Sequence, residues 1–223
     1  AATLALNHGQ GGWPMTVFLT PDQQPFFAGT YFPPTDRYGR PGFATVLTHI
    51  ARQWQERPDD FTHQAAQLTE YLRAQVAPHS ASNVGEMEIR AAAAELGRTF
   101  DRTYGGFGPA PKFPPSTALS LLLRSHRRTG DPEALTMVTK TLEVMAQGGM
   151  YDHIGGGFAR YSTDERWLVP HFEKMLYDNA LLSRIYLHAY QATGKQFYRR
   201  IAEETLDYIL REVTDKNGGF YSS

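Results

Sequence analysis

A glycine-rich tetrapeptide occurs three times along the chain, as GGFG at residues 105–108, GGGF at 155–158 and GGFY at 218–221. Each copy follows a segment with helical hydrophobic periodicity, and two such segments separate successive copies. Glycine is common at helix ends in general. Its recurrence together with phenylalanine at alternate helix ends predicts a loose repeat of helical hairpins.

The periodicity predicts five helices in this part of the chain, over residues 86–103, 116–129, 132–147, 170–193 and 196–213. Two earlier segments, which start near Gly42 and at Asp59, show the same spacing of apolar residues. Between the two groups, residues 78–85 are small and polar. We interpret them as a linker between domains.

The beginning of the chain has a different pattern. Residues 15–19 are β-branched or apolar, residues 20–24 have turn chemistry, and residues 25–31 form the return strand of a predicted β-hairpin. A lone hairpin is only marginally stable in water. Because no later segment supplies strands, we expect the rest of the sheet to precede Ala1 and the chain to be a piece of a longer protein.

The composition excludes several classes of function. The 223 residues are 41% hydrophobic, which is enough for one or two buried cores. A net charge of -1 gives no field for binding nucleic acid or an anionic membrane, and no apolar run approaches the length of a membrane span. Since the chain has no cysteine, it carries no thiol chemistry of its own. The absence of cysteine and of a signal peptide leads us to expect a cytoplasmic protein.

Longer motifs resemble a known family. The segments GQGGWPMTVFLTPD at 9–22 and GTYFPP at 29–34 resemble the thioredoxin-like domain of the YyaL / spermatogenesis-associated thioredoxin-domain family. In that fold a cis-proline precedes the third strand and lies near a redox dithiol. The resemblance implies that Trp13 and Pro14 form this cis peptide. It also implies that the family's Cys-x-x-Cys motif lies upstream of this chain.

The rest of the chain resembles the helical domain of the same family, in the blocks 104–114, 148–162 and 167–180. That domain is similar to six-hairpin (α/α)6 toroids, the scaffold of many glycosidases and of N-acylglucosamine epimerases. The resemblance implies a mostly α fold, in which residues 86–223 are the first part of a toroid. Residues 1–77 are then the C-terminal part of a thioredoxin-like α/β domain, before the linker at 78–85.

Polar residues in and after the second glycine-rich loop are the candidate site, since such loops surround the central pocket of a hairpin toroid. The candidate catalytic residues are Asp152, His153, His171 and Asp178, because histidines and paired carboxylates suit proton transfer and glycoside hydrolysis. If Pro170 begins a helix, His171 and Asp178 share one of its faces. Glu173 is then also a candidate partner of the helix dipole.

Substrate contacts are predicted from aromatic and charged side chains in the same blocks. Aromatic rings stack on sugars, and charged groups orient polar ligands; these candidates are Lys112, Tyr151, Arg160, Tyr161, Trp167 and Glu173. No spacing matches a metal-binding motif, so we expect neither a metal nor a cofactor.

Two classes of function remain open from the sequence. In the first, the toroid binds or acts on a small carbohydrate-like substrate. In the second, the chain belongs to a thiol–disulfide protein that binds a client protein, or is a non-catalytic interaction module in which residues 151–178 stabilise hairpin packing. Burial and mutual hydrogen bonding of Asp152, His153 and His171 would favour the interaction module. The sequence leaves the substrate, the reaction and the oligomeric state open.

Overall fold

A computed structural model describes residues 6, 11–12, 14–76 and 85–223. The chain divides into two compact units, residues 1–82 and 83–223. Trp13, and with it the predicted cis peptide Trp13–Pro14, lies outside the described residues, as do residues 78–84 of the predicted linker. None of the helices in the described ranges combines the length and apolar character that a membrane span requires.

The first unit contains the predicted hairpin and two helices. Strand β1 (Thr16–Leu19) pairs antiparallel with β2 (Pro25–Gly29), and helices α1 (Phe43–Glu56) and α2 (Pro58–Val76) follow. Phe26 of β2 is buried. Its ring lies 6.1 Å from that of Trp54 in α1 and 5.0 Å from that of Phe61 in α2. This aromatic cluster holds the two helices against the hairpin.

The second unit is almost entirely helical. It contains five helices, α3 (Glu86–Thr99), α4 (Ser116–Thr129), α5 (Pro132–Gln147), α6 (Leu176–Thr193) and α7 (Gln196–Glu212). Its core is a continuous cluster of buried apolar side chains that includes Leu119, Leu142 and Tyr186. The sequence therefore predicted four of these helices closely, although the first of the five ends four residues early.

The predicted helix over 170–193 is wrong at its start. The helix begins at Leu176, and Pro170–His171 forms a short strand, β4, that pairs antiparallel with β3 (Tyr161–Ser162). The Arg160 backbone N–H donates to the Glu173 carbonyl over 2.7 Å and continues this pairing. Pro170 can begin a strand as well as a helix, because neither position needs its missing N–H. Glu173 and His171 therefore do not lie in the first turn of a helix, whereas Asp178 does.

The three glycine-rich loops share a pattern of hydrogen bonds, although the third loop is one residue shorter than the first two. An aspartate begins each loop, at Asp101, Asp152 and Asp215, and its carboxylate accepts the backbone N–H two residues later over 2.9 Å. The same aspartates donate their backbone N–H groups to glycine carbonyls across the loop, at 2.7–3.0 Å. The predicted repeat is therefore present as a structural repeat, with an aspartate as its first residue.

Gly105 offers a test of how tightly the first loop packs. Its φ is +71°, and an added Cβ would lie 2.8 Å from the Cα of Thr141 in α5. We expect Gly105→Ala to lower the free energy of unfolding by about 3 kcal/mol, because left-handed strain and overpacking combine. Gly130→Ala is the matched control, since Gly130 has a φ of +72° with open space around it. The control should lose only about 1 kcal/mol, and equal losses in urea unfolding would contradict the packing argument.

Candidate functional site

Two of the glycine-rich loops are each closed by a lysine, of which Lys112 is buried and Lys174 is partly buried. The Lys112 ammonium donates to the Asp101 carboxylate and, over 2.9 Å, to the Gly105 carbonyl. The Lys174 ammonium donates to the Asp152 carboxylate and to the Gly156 carbonyl, each over 2.8 Å. The two lysines therefore make the same pair of contacts in successive repeats.

An aromatic ring lies beneath each of these lysines. The Lys112 nitrogen lies 5.7 Å from the ring centre of Trp167, and the Lys174 nitrogen lies 4.3 Å from that of Tyr208. Trp167 is fully buried and donates its indole N–H to the Tyr104 carbonyl over 3.0 Å. Lys112 is only 2% exposed. Both residues were predicted to contact substrate, and the structure places both inside the packed framework of the loops.

The candidate residues in the second loop also have polar partners within the unit. Tyr151 is buried and its hydroxyl donates to the Glu204 carboxylate. The Gly155 N–H and the Lys174 ammonium lower the pKa of Asp152 to about 2. His153 is exposed, and its Nε2 lies 3.0 Å from the Gly148 carbonyl oxygen. In the described residues, no hydrogen bond, ion pair or ring stacking joins these three to His171 or Asp178.

A second group of predicted residues comes together where the β3–β4 hairpin meets α6. Arg160 forms a half-exposed ion pair with Glu173 over 2.7 Å, and its buried Nε has no hydrogen-bond partner among the described residues. Asp178 is buried in the first turn of α6, and no described residue lies within hydrogen-bond distance of its Oδ2. We call Arg160, Glu173, Tyr177 and Asp178 the rim cluster.

The environment of Asp178 changes its protonation. Burial raises the pKa of Asp178 from 3.8 to about 6, although the positive charge of Arg160 and the hydroxyl of Tyr177 act in the opposite direction. The guanidinium of Arg160 is therefore close enough to lower the pKa of this carboxyl group. Its effect is smaller than the increase in pKa that burial causes. A carboxyl group with a pKa of about 6 can exchange a proton near neutral pH.

Three aromatic rings stack at the β3–β4 hairpin. Tyr161 and His171 stand opposite each other on β3 and β4, and their rings stack at 4.8 Å. Phe113 stacks on the Tyr161 ring at 4.6 Å, and both Phe113 and His171 are exposed. We call these three residues the aromatic row. The sequence analysis did not select Phe113 or Lys174.

Two cavities in the described part of the second unit are lined by residues outside the rim cluster. One, of about 640 Å³, is lined by residues of α3, α4 and the start of α5. The other, of about 810 Å³, lies between α4 and α6. Among the described residues, no group of three histidines or carboxylates is close enough to hold a metal ion.

The helical unit has the fold of a partial toroid. A sugar epimerase from a ruminal bacterium superimposes with a TM-score of 0.53 at 18% identity, over 60% of this chain and 38% of that one. The cellobiose 2-epimerase of Spirochaeta thermophila gives a TM-score of 0.51 at 21% identity, over 60% of this chain and 39% of that one. At these identities the likeness shows the fold alone.

The family resemblance inferred from the motifs is confirmed. Residues 1–73 match the thioredoxin-related family described as "Protein of unknown function, DUF255". Spermatogenesis-associated protein 20 of Mus musculus is 45% identical over 225 residues, which cover 96% of this chain and 28% of that protein. The human protein of the same name gives the same identity and coverage. The chain therefore spans less than a third of the length of these relatives.

Lys112 provides a test of the loop framework. Lys112→Met should lower the free energy of unfolding by about 2–3 kcal/mol, because it leaves the Asp101 carboxylate without its buried partner. Arg199→Met is the control, since it breaks an exposed ion pair with Glu203 at 2.8 Å and should leave urea unfolding unchanged. A similar response of the two variants would show that Lys112 does not hold the loop.

Asp178 provides a test through pH. Because its pKa is higher in the folded chain than its ordinary value of 3.8, Asp178 takes up a proton on folding, and stability falls as pH rises through about 6. Asp178→Asn should therefore raise the free energy of unfolding by about 1–2 kcal/mol at pH 7, with the gain disappearing towards pH 4. Asp207→Asn, at an exposed position of α7, is the control. A pH-independent effect of Asp178→Asn would contradict the raised pKa.

Proposed function

We propose that the helical unit binds a carbohydrate-like small molecule at the β3–β4 hairpin and the first turn of α6. The observation that carries the proposal is the pair of unsatisfied polar atoms in the rim cluster. Arg160 Nε is a donor without an acceptor, and Asp178 Oδ2 is an acceptor without a donor. Buried polar atoms are nearly always paired, so a ligand or water that supplies both partners is expected here.

A polyol has the chemistry that this cluster lacks. Each sugar hydroxyl is both a donor and an acceptor. One hydroxyl can accept from Arg160 while its neighbour donates to Asp178, and Glu173 and the exposed Tyr177 add further polar groups. Hydrogen bonds to charged groups are stronger than those between neutral groups. A ligand with two neighbouring hydroxyls can form one such bond to Arg160 and another to Asp178.

The aromatic row supplies an apolar surface at the β3–β4 hairpin, whose first strand directly follows Arg160. Tyr161 and His171 lie on the two strands of this hairpin, and the Phe113 ring stacks on that of Tyr161. A small-molecule site typically combines aromatic walls with a few polar groups that fix orientation. The printed names of the structural neighbours, a sugar epimerase and a cellobiose 2-epimerase, support a sugar as the ligand class by analogy of fold.

If the site is catalytic, Asp178 is the residue that we propose as the proton carrier. Its pKa of about 6 allows it to accept or donate a proton near neutral pH. His171, on β4, is the other candidate that the sequence analysis placed with Asp178. Asp152 is less suited to this task, because a pKa of about 2 makes it a weak base.

A non-catalytic interaction module is the second candidate. It is supported by Lys112, Tyr151, Asp152 and Trp167, whose polar atoms are all used in packing within the unit. The two candidates differ in what they require of the rim cluster. A scaffold needs no ligand for Arg160 and Asp178, whereas a sugar site does.

The test is a sugar-binding screen on the intact protein. Monosaccharides and disaccharides are screened by thermal shift, and positive ligands are measured by calorimetry. We expect Arg160→Gln and Asp178→Asn to weaken binding at least about tenfold, because each removes a charge-assisted hydrogen bond. Affinity is the readout, since Asp178→Asn is itself expected to raise the melting temperature.

Two further variants distinguish binding at the proposed site from nonspecific binding to aromatic side chains. His171→Ala removes one ring of the aromatic row and should weaken binding several-fold. Tyr38→Ala removes an aromatic side chain that is 90% exposed in the first unit and should leave binding unchanged. If no sugar binds, or if the rim variants bind like the parent, the proposal fails and the interaction module becomes the better account.

A further inference from the structure

The cavity between α4 and α6 is lined mostly by basic side chains. Its volume is about 810 Å³, and its polar lining residues are Arg124, His126, Arg127, Arg184, His188 and Gln191. No carboxylate lines it. We call this cavity the α4–α6 cleft. Three arginines in one cleft of a chain with a net charge of -1 form a local excess of positive charge.

The arginines of the cleft form no ion pair with the described residues. None of Arg124, Arg127 and Arg184 lies within ion-pair distance of a described carboxylate. Arginines elsewhere on the helices do pair with carboxylates, for example Arg90 with Glu86 and Arg199 with Glu203. The cleft therefore brings together three of the arginines that lack such a partner.

Helix dipoles account for only part of this arrangement. Arg127 and His126 lie in the last turn of α4, where positive charge interacts favourably with the free carbonyl groups. Arg124 lies before that turn, and Arg184 lies in the middle of α6, which runs from Leu176 to Thr193. The dipole effect is confined to the terminal turn, so it does not explain these two residues.

The pKa of His188 reflects the positive electrostatic potential inside the cleft. Burial, together with the positive charges of Arg184 and Arg124, lowers the pKa of His188. The other titratable lining residue, His126, places its Nδ1 2.7 Å from the Asp131 carbonyl oxygen. The cleft therefore already disfavours a further positive charge, and an anion would relieve the repulsion.

We propose that the α4–α6 cleft binds a small phosphate-bearing molecule. Guanidinium groups match the oxygens of phosphate in a bidentate geometry, and arginines from two helices can hold a phosphate from two sides. The cavity is larger than a phosphate ion, which leaves room for the organic part of a phosphate ester. Arg184 lies seven residues after Tyr177 along α6, about 10 Å from the rim cluster, so the two sites are separate.

The test is calorimetry of the intact protein with inorganic phosphate and with pyrophosphate, at low and at roughly physiological salt. We expect Arg124→Gln and Arg184→Gln each to weaken pyrophosphate binding at least about tenfold. Arg128→Gln is the matched control, because it removes the same charge from α4 at an exposed position that does not line the cleft. It should change the affinity less than about twofold.

Folding does not confound this test. Arg124 and Arg184 are exposed and unpaired, so both variants should retain or slightly raise the melting temperature, and they lie on different helices. Absence of phosphate and pyrophosphate binding would overturn the proposal, as would equal weakening by Arg128→Gln. Tight binding of poly-glutamate that pyrophosphate does not displace would also overturn it, because the cleft would then be a surface for an acidic polypeptide.

Discussion

The second unit depends on one repeated interaction, in which a lysine joins an aspartate to a glycine carbonyl. In the first loop Lys112 joins Asp101 to Gly105, and in the second Lys174 joins Asp152 to Gly156. Each lysine reaches into its loop from a later segment, so the contact fixes where the chain continues after the loop. Lys174 follows Glu173 directly and precedes Asp178 by four residues, so the rim cluster is positioned by the same contact.

The sequence predicted the elements whose signal is local. Apolar periodicity located α4, α5 and α7 because each helix buries one face of its own. It failed at Pro170, because the choice between strand and helix there is made by distant groups. The Arg160 N–H bonds the Glu173 carbonyl, and the Asn179 side chain bonds both backbone groups of Phe158 at 2.6 and 3.0 Å. Such non-local bonds leave no periodic signature in the sequence.

The candidate site was predicted by residue type, and the structure brings some of the selected residues together while it uses others in packing. Trp167 and Lys112 carry groups that bind sugars and anions elsewhere, yet here both serve the loop framework. The sequence contains a signal for the role of the lysines in the loops, because Lys112 and Lys174 each follow a loop that begins with an aspartate. Phe113 meets Tyr161 only because the backbones of Lys112 and Ser162 exchange hydrogen bonds of 2.8 and 2.9 Å across fifty residues. That pairing could not have been found from local sequence.

The rim cluster and the α4–α6 cleft share helix α6, and both lower the stability of the fold. A buried carboxylate with an unpaired oxygen and a group of arginines that repel each other each oppose folding. A leucine in place of the buried Asp178 would avoid the cost of burying its carboxylate. Natural sequences break local rules of stability chiefly where function requires it. The lysine-closed loops supply rigidity at the start of α6, and this rigidity allows the helix to carry two unfavourable groups of polar side chains. On this argument, the residues that stabilise the unit are poor candidates for ligand contacts, and those that destabilise it are the better ones.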